Sequence, residues 1–220
     1  PVPNFAGTES LVTLDAAQNN FAGGFPASWK KLVNITTLKM SNNKLASPVD
    51  ALVTLTKLTR IELSHNKLTT STSETEKNGL GNWFLHASFP DSTEFLDISH
   101  NELDGLLCPE TAGGGDVDKC VAQPGHFTNL ETLKASHNPK LGGRFPIILL
   151  GQNGPKLKVC DFSDCDLEGP VPDTITAPVT LIQFTNNKRM NWKHSSTPGT
   201  LPGWAKVTVK FTAASKEAKY

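Results

Sequence analysis

Histidine, serine and aspartate recur in this 220-residue chain at positions that invite a chemical reading. His65, His100 and His137 each follow a serine (Ser64, Ser99, Ser136) and precede an asparagine (Asn66, Asn101, Asn138). Asp164 takes the equivalent place one unit later. Neutral imidazoles are ligands for zinc or copper, and one carboxylate can complete such a set. A serine beside a histidine raises nucleophilic catalysis, in which a base activates the hydroxyl and an acid orients the base. Aligned imidazoles would also repel one another when protonated below their ordinary value of about 6.5. Which chemistry survives depends on the elements that carry these residues.

Each Ser-His-Asn triplet closes the same phrase: Leu58-x-x-Ile61-x-Leu63, Thr93-x-x-Leu96-x-Ile98 and Leu130-x-x-Leu133-x-Ala135 lead into the three copies. The alternation predicts a short strand with one apolar face, which a single strand cannot bury. Further copies run through Leu11, Leu14, Ala16 and Asn19, then Ile35, Leu38, Met40 and Asn43. Others run through Leu157, Cys160, Phe162 and Cys165, and through Val179, Ile182, Phe184 and Asn187. A worn copy at Trp204, Val207, Val209 and Thr212 ends the series. The asparagine-type positions are spaced by 24, 23, 35, 37, 27, 22 and 25 residues, so most units are near 24 and two are lengthened. Stacked units make a parallel sheet with a step of about 4.8 Å and one continuous core. The asparagine turns inward to satisfy backbone groups at the bend, and Cys165 fills that slot once as a small buried residue.

Stacking sorts the outward residues into columns. One holds Asp15, Lys39, Glu62, Asp97, Lys134, Asp161 and Gln183; the next is small, Ala17, Ser41, Ser64, Ser99, Ser136, Ser163 and Thr185. The third is Gln18, Asn42, His65, His100, His137, Asp164 and Asn186. Column members about 4.8 Å apart do not converge on an ion whose ligands lie within about 2.1 Å, so no metal site is expected. The serines recur as a column where a nucleophile would be singular, and no enclosed cleft surrounds Glu62 and Asp97, so no enzyme and no cofactor are expected. What remains is an open polar face with Phe95 as its main aromatic. Its candidate contacts are Lys39, Glu62, His65, Phe95, Asp97, His100, Lys134, His137, Asp161 and Asp164.

Several units continue with a second motif, in Phe21-Ala22-Gly23-Gly24-Phe25-Pro26, Leu141-Gly142-Gly143-Arg144-Phe145-Pro146 and Leu167-Glu168-Gly169-Pro170-Val171-Pro172. With the strand phrase, this resembles the leucine-rich repeat of the extracellular L-x-G-x-I-P subtype, typical of plant receptor ectodomains and cell-wall inhibitor proteins. The tails Pro26-Ala27-Ser28-Trp29 and Pro202-Gly203-Trp204 are similar to repeats in surface antigens of some protozoan parasites. The resemblance covers roughly residues 11 to 212. It implies a single domain over 1–220: an α/β-type solenoid of about eight repeats, a right-handed superhelix with few helices and its parallel sheet on the concave face.

The 21 basic and 21 acidic residues are evenly mixed, which argues against nucleic acid or an anionic membrane as partner. No apolar run is long enough to span a bilayer. Residues 69–92 and 104–129 lengthen two adjacent units and should emerge together. The first carries Trp83 and Phe84, which either bind a partner or cover the flank. Cys108 and Cys120 bracket a glycine-rich stretch that a disulfide would staple, worth about 3 kcal/mol; Cys160 and Cys165 are inward, with their pairing open. Asn34-Ile35-Thr36 is an N-glycosylation acceptor before a strand. Asn4-Phe5-Ala6-Gly7 repeats Asn20-Phe21-Ala22-Gly23, as though the chain opens within the tail of a unit. The expected function is an extracellular or cell-surface recognition or adhesion module for a protein or glycan. Inhibition of a secreted enzyme, a surface coat formed by self-assembly and a cytosolic scaffold are the alternatives.

Overall fold

A computed structural model of the protein describes residues 1–5, 7–46, 49, 51–69, 89–107, 127–145, 147–151, 154–170, 177–191 and 208–210. Among them the strands, in chain order, are β1 (Thr13–Asp15), β2 (Ala22–Gly23), β3 (Thr37–Lys39), β4 (Lys44–Leu45), β5 (Arg60–Glu62), β6 (Phe95–Asp97) and β7 (Asp104–Leu106). There follow β8 (Thr132–Lys134), β9 (Lys140–Arg144), β10 (Val159–Asp161), β11 (Asp166–Pro170), β12 (Leu181–Gln183), β13 (Arg189–Asn191) and β14 (Thr208–Lys210). One eight-stranded sheet takes the order β1-β3-β5-β6-β8-β10-β12-β14, with every pairing parallel. The only helices among the described residues are short 3₁₀ turns at Ala27–Lys31 and Ile147–Leu150. The fold is a leucine-rich-repeat solenoid, and β14 is the last strand of this sheet among the described residues.

The register matches the repeat phrase residue for residue. Leu38, Ile61, Leu96, Leu133, Cys160 and Ile182 stack in one buried row, and Met40, Leu63, Ile98, Ala135, Phe162 and Phe184 in a second. Burying one such aliphatic side chain contributes about 1.5–3 kcal/mol, so each unit is held mainly by its neighbours' apolar faces. At the first unit Trp29 closes the core. Its indole nitrogen donates to the Pro3 carbonyl at 2.9 Å, and its ring lies 4.8 Å from Phe25 and 5.5 Å from Phe5.

The L-x-G tails build a second parallel sheet of order β13-β11-β9-β7, and β2 pairs with β4 in the same manner. Asp104–Leu106, the first residues of the second lengthened segment, are a regular strand of that sheet. Gly143 and Gly169 sit at φ 80° and 81°, where a Cβ is strained, which is why glycine recurs there. Cys160 and Cys165 are unpaired, buried thiols. Cys108, Cys120, Trp83 and Phe84 lie outside the described residues. No described helix is long and apolar enough to cross a membrane.

The concave face as candidate binding surface

The turn after each strand is set by its asparagine. The Asn101 amide donates to the carbonyls of Leu63, Ile98 and Ser99, each at 3.0 Å, and its oxygen accepts the Leu68 N–H at 2.9 Å. Asn66 repeats this with Met40, Leu63, Ser64 and Leu45, and Asn138 with Ile98, Ala135, Ser136 and Leu103. One buried side chain thus satisfies backbone groups in its own unit and the one before it, where unmet partners would each cost about 1–3 kcal/mol.

The residue before each asparagine answers to a different rule. Gln18, Asn42, His65, His100, His137, Asp164 and Asn186 all have positive φ, from 51° to 62°. Asn, Asp and His tolerate the left-handed region better than other side chains, and β-branched residues are excluded from it. The histidine column is therefore selected first by backbone conformation. It also forms a physical stack. The rings of His65 and His100 lie 3.9 Å apart at 12°, and those of His100 and His137 lie 3.9 Å apart at 17°. At the far end His137 Nε2 is 3.3 Å from Asp164 Oδ2, and Asn186 donates to Asp164 Oδ1 at 2.6 Å. Burial holds His100 below the ordinary imidazole value, and the charges His137 and His65 would carry push it the same way, against the pull of Asp97 and Asp164. No described group of three or more histidine, cysteine, aspartate or glutamate side chains has metal-binding geometry. Parallel rings present their nitrogens side by side and do not converge.

The serine column is nearly buried. The Ser64 hydroxyl donates to Ser41 Oγ at 3.0 Å and the Ser99 hydroxyl to Asp97 Oδ1 at 2.6 Å. Both hydroxyls are thus committed to neighbours other than an imidazole.

The charged column is half-exposed and partly paired. Lys39 reaches Asp15 at 4.0 Å. Asp97 and Asp161 each turn Oδ1 to a backbone N–H, of Ser99 at 3.1 Å and Ser163 at 2.9 Å. Phe95 is half-buried between two cations, with the Arg60 guanidinium 3.9 Å and the Lys134 ammonium 5.6 Å from its ring centre. Arg60 also donates to Glu62 at 2.6 Å. The structure brings Glu62, Phe95, Asp97 and Lys134 together across three paired strands and sets the histidine stack at their carboxyl ends. Arg60 is the functional candidate that the repeat phrase conceals. It belongs to the first strand position, Thr37, Arg60, Phe95, Thr132, Val159 and Leu181, all half-buried on this face. Following Phe95 up and down its column would have exposed both the arginine and the apolar run Val159–Leu181.

Asn34 sits away from this face. Its amide donates to the Glu9 carbonyl at 3.0 Å and its oxygen accepts from Lys57 at 2.7 Å. Asn129 makes the same pair of bonds, to Asp91 at 3.1 Å and from Lys156 at 2.8 Å, without lying in an acceptor sequence. Asn34 is therefore a link between units in its own right. An N-linked asparagine keeps one amide N–H, so carbohydrate linkage and the bond to Glu9 are compatible.

The Cys165 slot shows how the turn adapts. Its thiol donates to the Ala135 carbonyl at 3.3 Å and offers no oxygen to the preceding unit. There the Leu141 N–H is bonded instead to the Asn138 carbonyl at 2.9 Å, because the turn at Pro139 is one residue longer. Burial pushes the thiol up to about 12.

No model of a known protein family matches the chain, and no curated protein matches it. Solved structures do. The ectodomain of the plant receptor kinase GASSHO1/SCHENGEN3 from Arabidopsis thaliana, solved with CASPARIAN STRIP INTEGRITY FACTOR 2, is 19% identical with TM-score 0.61 over 90% of this chain and 21% of its own. The Arabidopsis receptor kinase HAESA ectodomain, bound to an extended IDA peptide hormone, is 19% identical with TM-score 0.59 over 94% and 31%. An internalin, inlF, from Listeria monocytogenes is 15% identical with TM-score 0.61 over 92% and 47%. The chain spans between about a fifth and a half of the length of these proteins. At such identities the likeness establishes the leucine-rich-repeat fold, to which the stacked strands, the asparagine ladder and the second sheet had already led.

Proposed function

We propose that the chain is a non-enzymatic recognition module that binds an extended segment of a protein, or a glycan, along its concave face. The observation that carries this is the Arg60–Phe95–Lys134 cluster, an aromatic ring and two cations held on an open sheet with no part in the core. Rigid in-register strands present it with little conformational entropy left to lose on binding. The peptide-hormone complex of the HAESA ectodomain supports a peptide or protein over a glycan. An extracellular or cell-surface setting is supported by the L-x-G-x-φ-P subtype and the Asn34 sequon, and Trp83 and Phe84 would extend the surface from the first insertion.

The test is a screen of the full chain against peptide and glycan arrays, repeated with Phe95→Ala. Ligands of this face should bind at least about tenfold more weakly to the variant. Ligands that bind the variant as well as the parent would place recognition elsewhere and overturn the proposal.

A further inference from the structure

Over its first six strands, β1 to β10, the concave face carries an excess of negative charge while its histidines are neutral. From β1 to the turn after β10, its outward columns hold Lys39, Arg60 and Lys134 against five carboxylates, Asp15, Glu62, Asp97, Asp161 and Asp164, which leaves two net negative charges. Arg60 is bonded to Glu62 and lies over Phe95, and Lys134 lies over the other part of the same aromatic site. Asp97 and Asp161 commit Oδ1 to the turn, while their Oδ2 atoms have no partner among the described residues.

Along the edge of this strip runs the imidazole stack. Three protons on it would turn two net negative charges into one net positive charge. The charged groups that act on the central ring, His100, are Asp97 on its own unit, His65 on the unit before, His137 on the unit after and Asp164 one step further, while Glu62, Lys134 and Asp161 stand in register with Asp97 on the paired strands. Charging rings 3.9 Å apart is opposed by their repulsion and aided by these carboxylates. A cation seated on the carboxylates removes that aid, so protons and a cationic partner compete for the same surface. Linkage makes the competition reciprocal.

We propose that the concave face takes a basic, lysine- or arginine-bearing extended segment of a partner at neutral pH and releases it in acid, with the imidazole stack as the proton-operated gate. This rests on the concave-face binding proposed above and adds the partner's charge and its regulation. The sign follows from charge alone: with the rings neutral the carboxylates dominate the strip, and each proton the stack takes up in acid adds a positive charge that opposes a cationic segment.

The experiment uses the full chain and two labelled peptides of about ten residues, oligolysine and oligoglutamate, with anisotropy read at about pH 7.5 and about pH 5.5 at fixed ionic strength. Oligolysine should bind more tightly than oligoglutamate at the higher pH and lose about tenfold or more at the lower. The triple variant H65N/H100N/H137N should change by less than about twofold between the two. Asparagine already occupies this left-handed position at Asn42 and Asn186, so circular dichroism should show the variant folded. D97N/D161N, which keeps both Oδ1 acceptors, should weaken oligolysine at neutral pH. A triple variant with the full acid loss, or a neutral-pH preference for oligoglutamate, overturns the gate. If array ligands are lost with Phe95→Ala but oligolysine is not preferred, this inference alone falls. If neither Phe95→Ala nor D97N/D161N alters any binding, the concave-face proposal falls with it.

Discussion

Asn101 and His100 are chain neighbours in one turn, and their columns look alike in the sequence, yet different physics maintains them. Asn101 is buried and engages backbone groups of two units, so few other side chains can replace it. His100 is half-exposed at φ 51°, and its column accepts glutamine, asparagine, histidine or aspartate because the constraint is on the main chain. Recurrence at the first position reports a hydrogen-bonding duty. Recurrence at the second reports a dihedral angle, and leaves the side chain available for charge and recognition. A repeated histidine in such a turn is not by itself evidence for a ligand set.

Substitutions can break this comparison, and the largest effect belongs to the ladder. Asn101→Ala should lower stability in urea by about 2–3 kcal/mol, since it leaves the buried Leu68 N–H without its acceptor and opens a small cavity, while the Leu63, Ile98 and Ser99 carbonyls keep the Asn66, Asn138 and His65 donors. A loss under about 1 kcal/mol would mean that water or a shifted turn takes over the role. At the neighbouring position, His100→Val should cost about 1–2 kcal/mol because a β-branched residue resists the left-handed region, whereas His100→Asn should be nearly neutral at neutral pH. Equal costs for the two would show that the ring stack, and not the backbone, holds this turn.

Acid sharpens the contrast. The folded value of His100 lies below its unfolded value, so the folded state binds fewer protons and stability is lost as pH falls through about 6.5 towards that lower value. Thermal melts should show that loss in the parent and a smaller one in His100→Asn. The smallest effect is expected at the exception in the ladder. Cys165→Ala should change stability by about 1 kcal/mol or less, because the Leu141 N–H is already bonded to the Asn138 carbonyl and the thiol's loss orphans no donor. The native Cys160 and Cys165 thiols should react with a thiol reagent only on unfolding, being buried and held in the protonated form.

Much of the fold was legible because two periods coincide. The alternation Leu96-x-Ile98 marks a strand, and its return at about 24 residues, or at the longer spacings around the insertions, sets the neighbour on which it stacks. The second sheet was harder to read. Its strands carry no alternation, and Asp104–Leu106 reads as the start of an insertion until it pairs with Lys140–Gly142. The candidate surface was legible in part. Glu62, Asp97, Lys134 and the histidines follow from column reading, whereas Arg60 stands one place outside the repeated phrase and is seen only when Phe95 is placed beside it.

By itself the sequence determined the strand positions, the inward rows and the asparagine duty, since apolar periodicity and unpaired backbone groups act locally and repeat. Only the tertiary structure decided that the histidine turn is left-handed, that the three rings stack, that Leu141 has exchanged its acceptor, and that one phenylalanine sits between two cations. Those outcomes depend on what the adjacent unit places a few ångströms away, and residues 35 or 37 positions apart in the chain become neighbours only when the units stack.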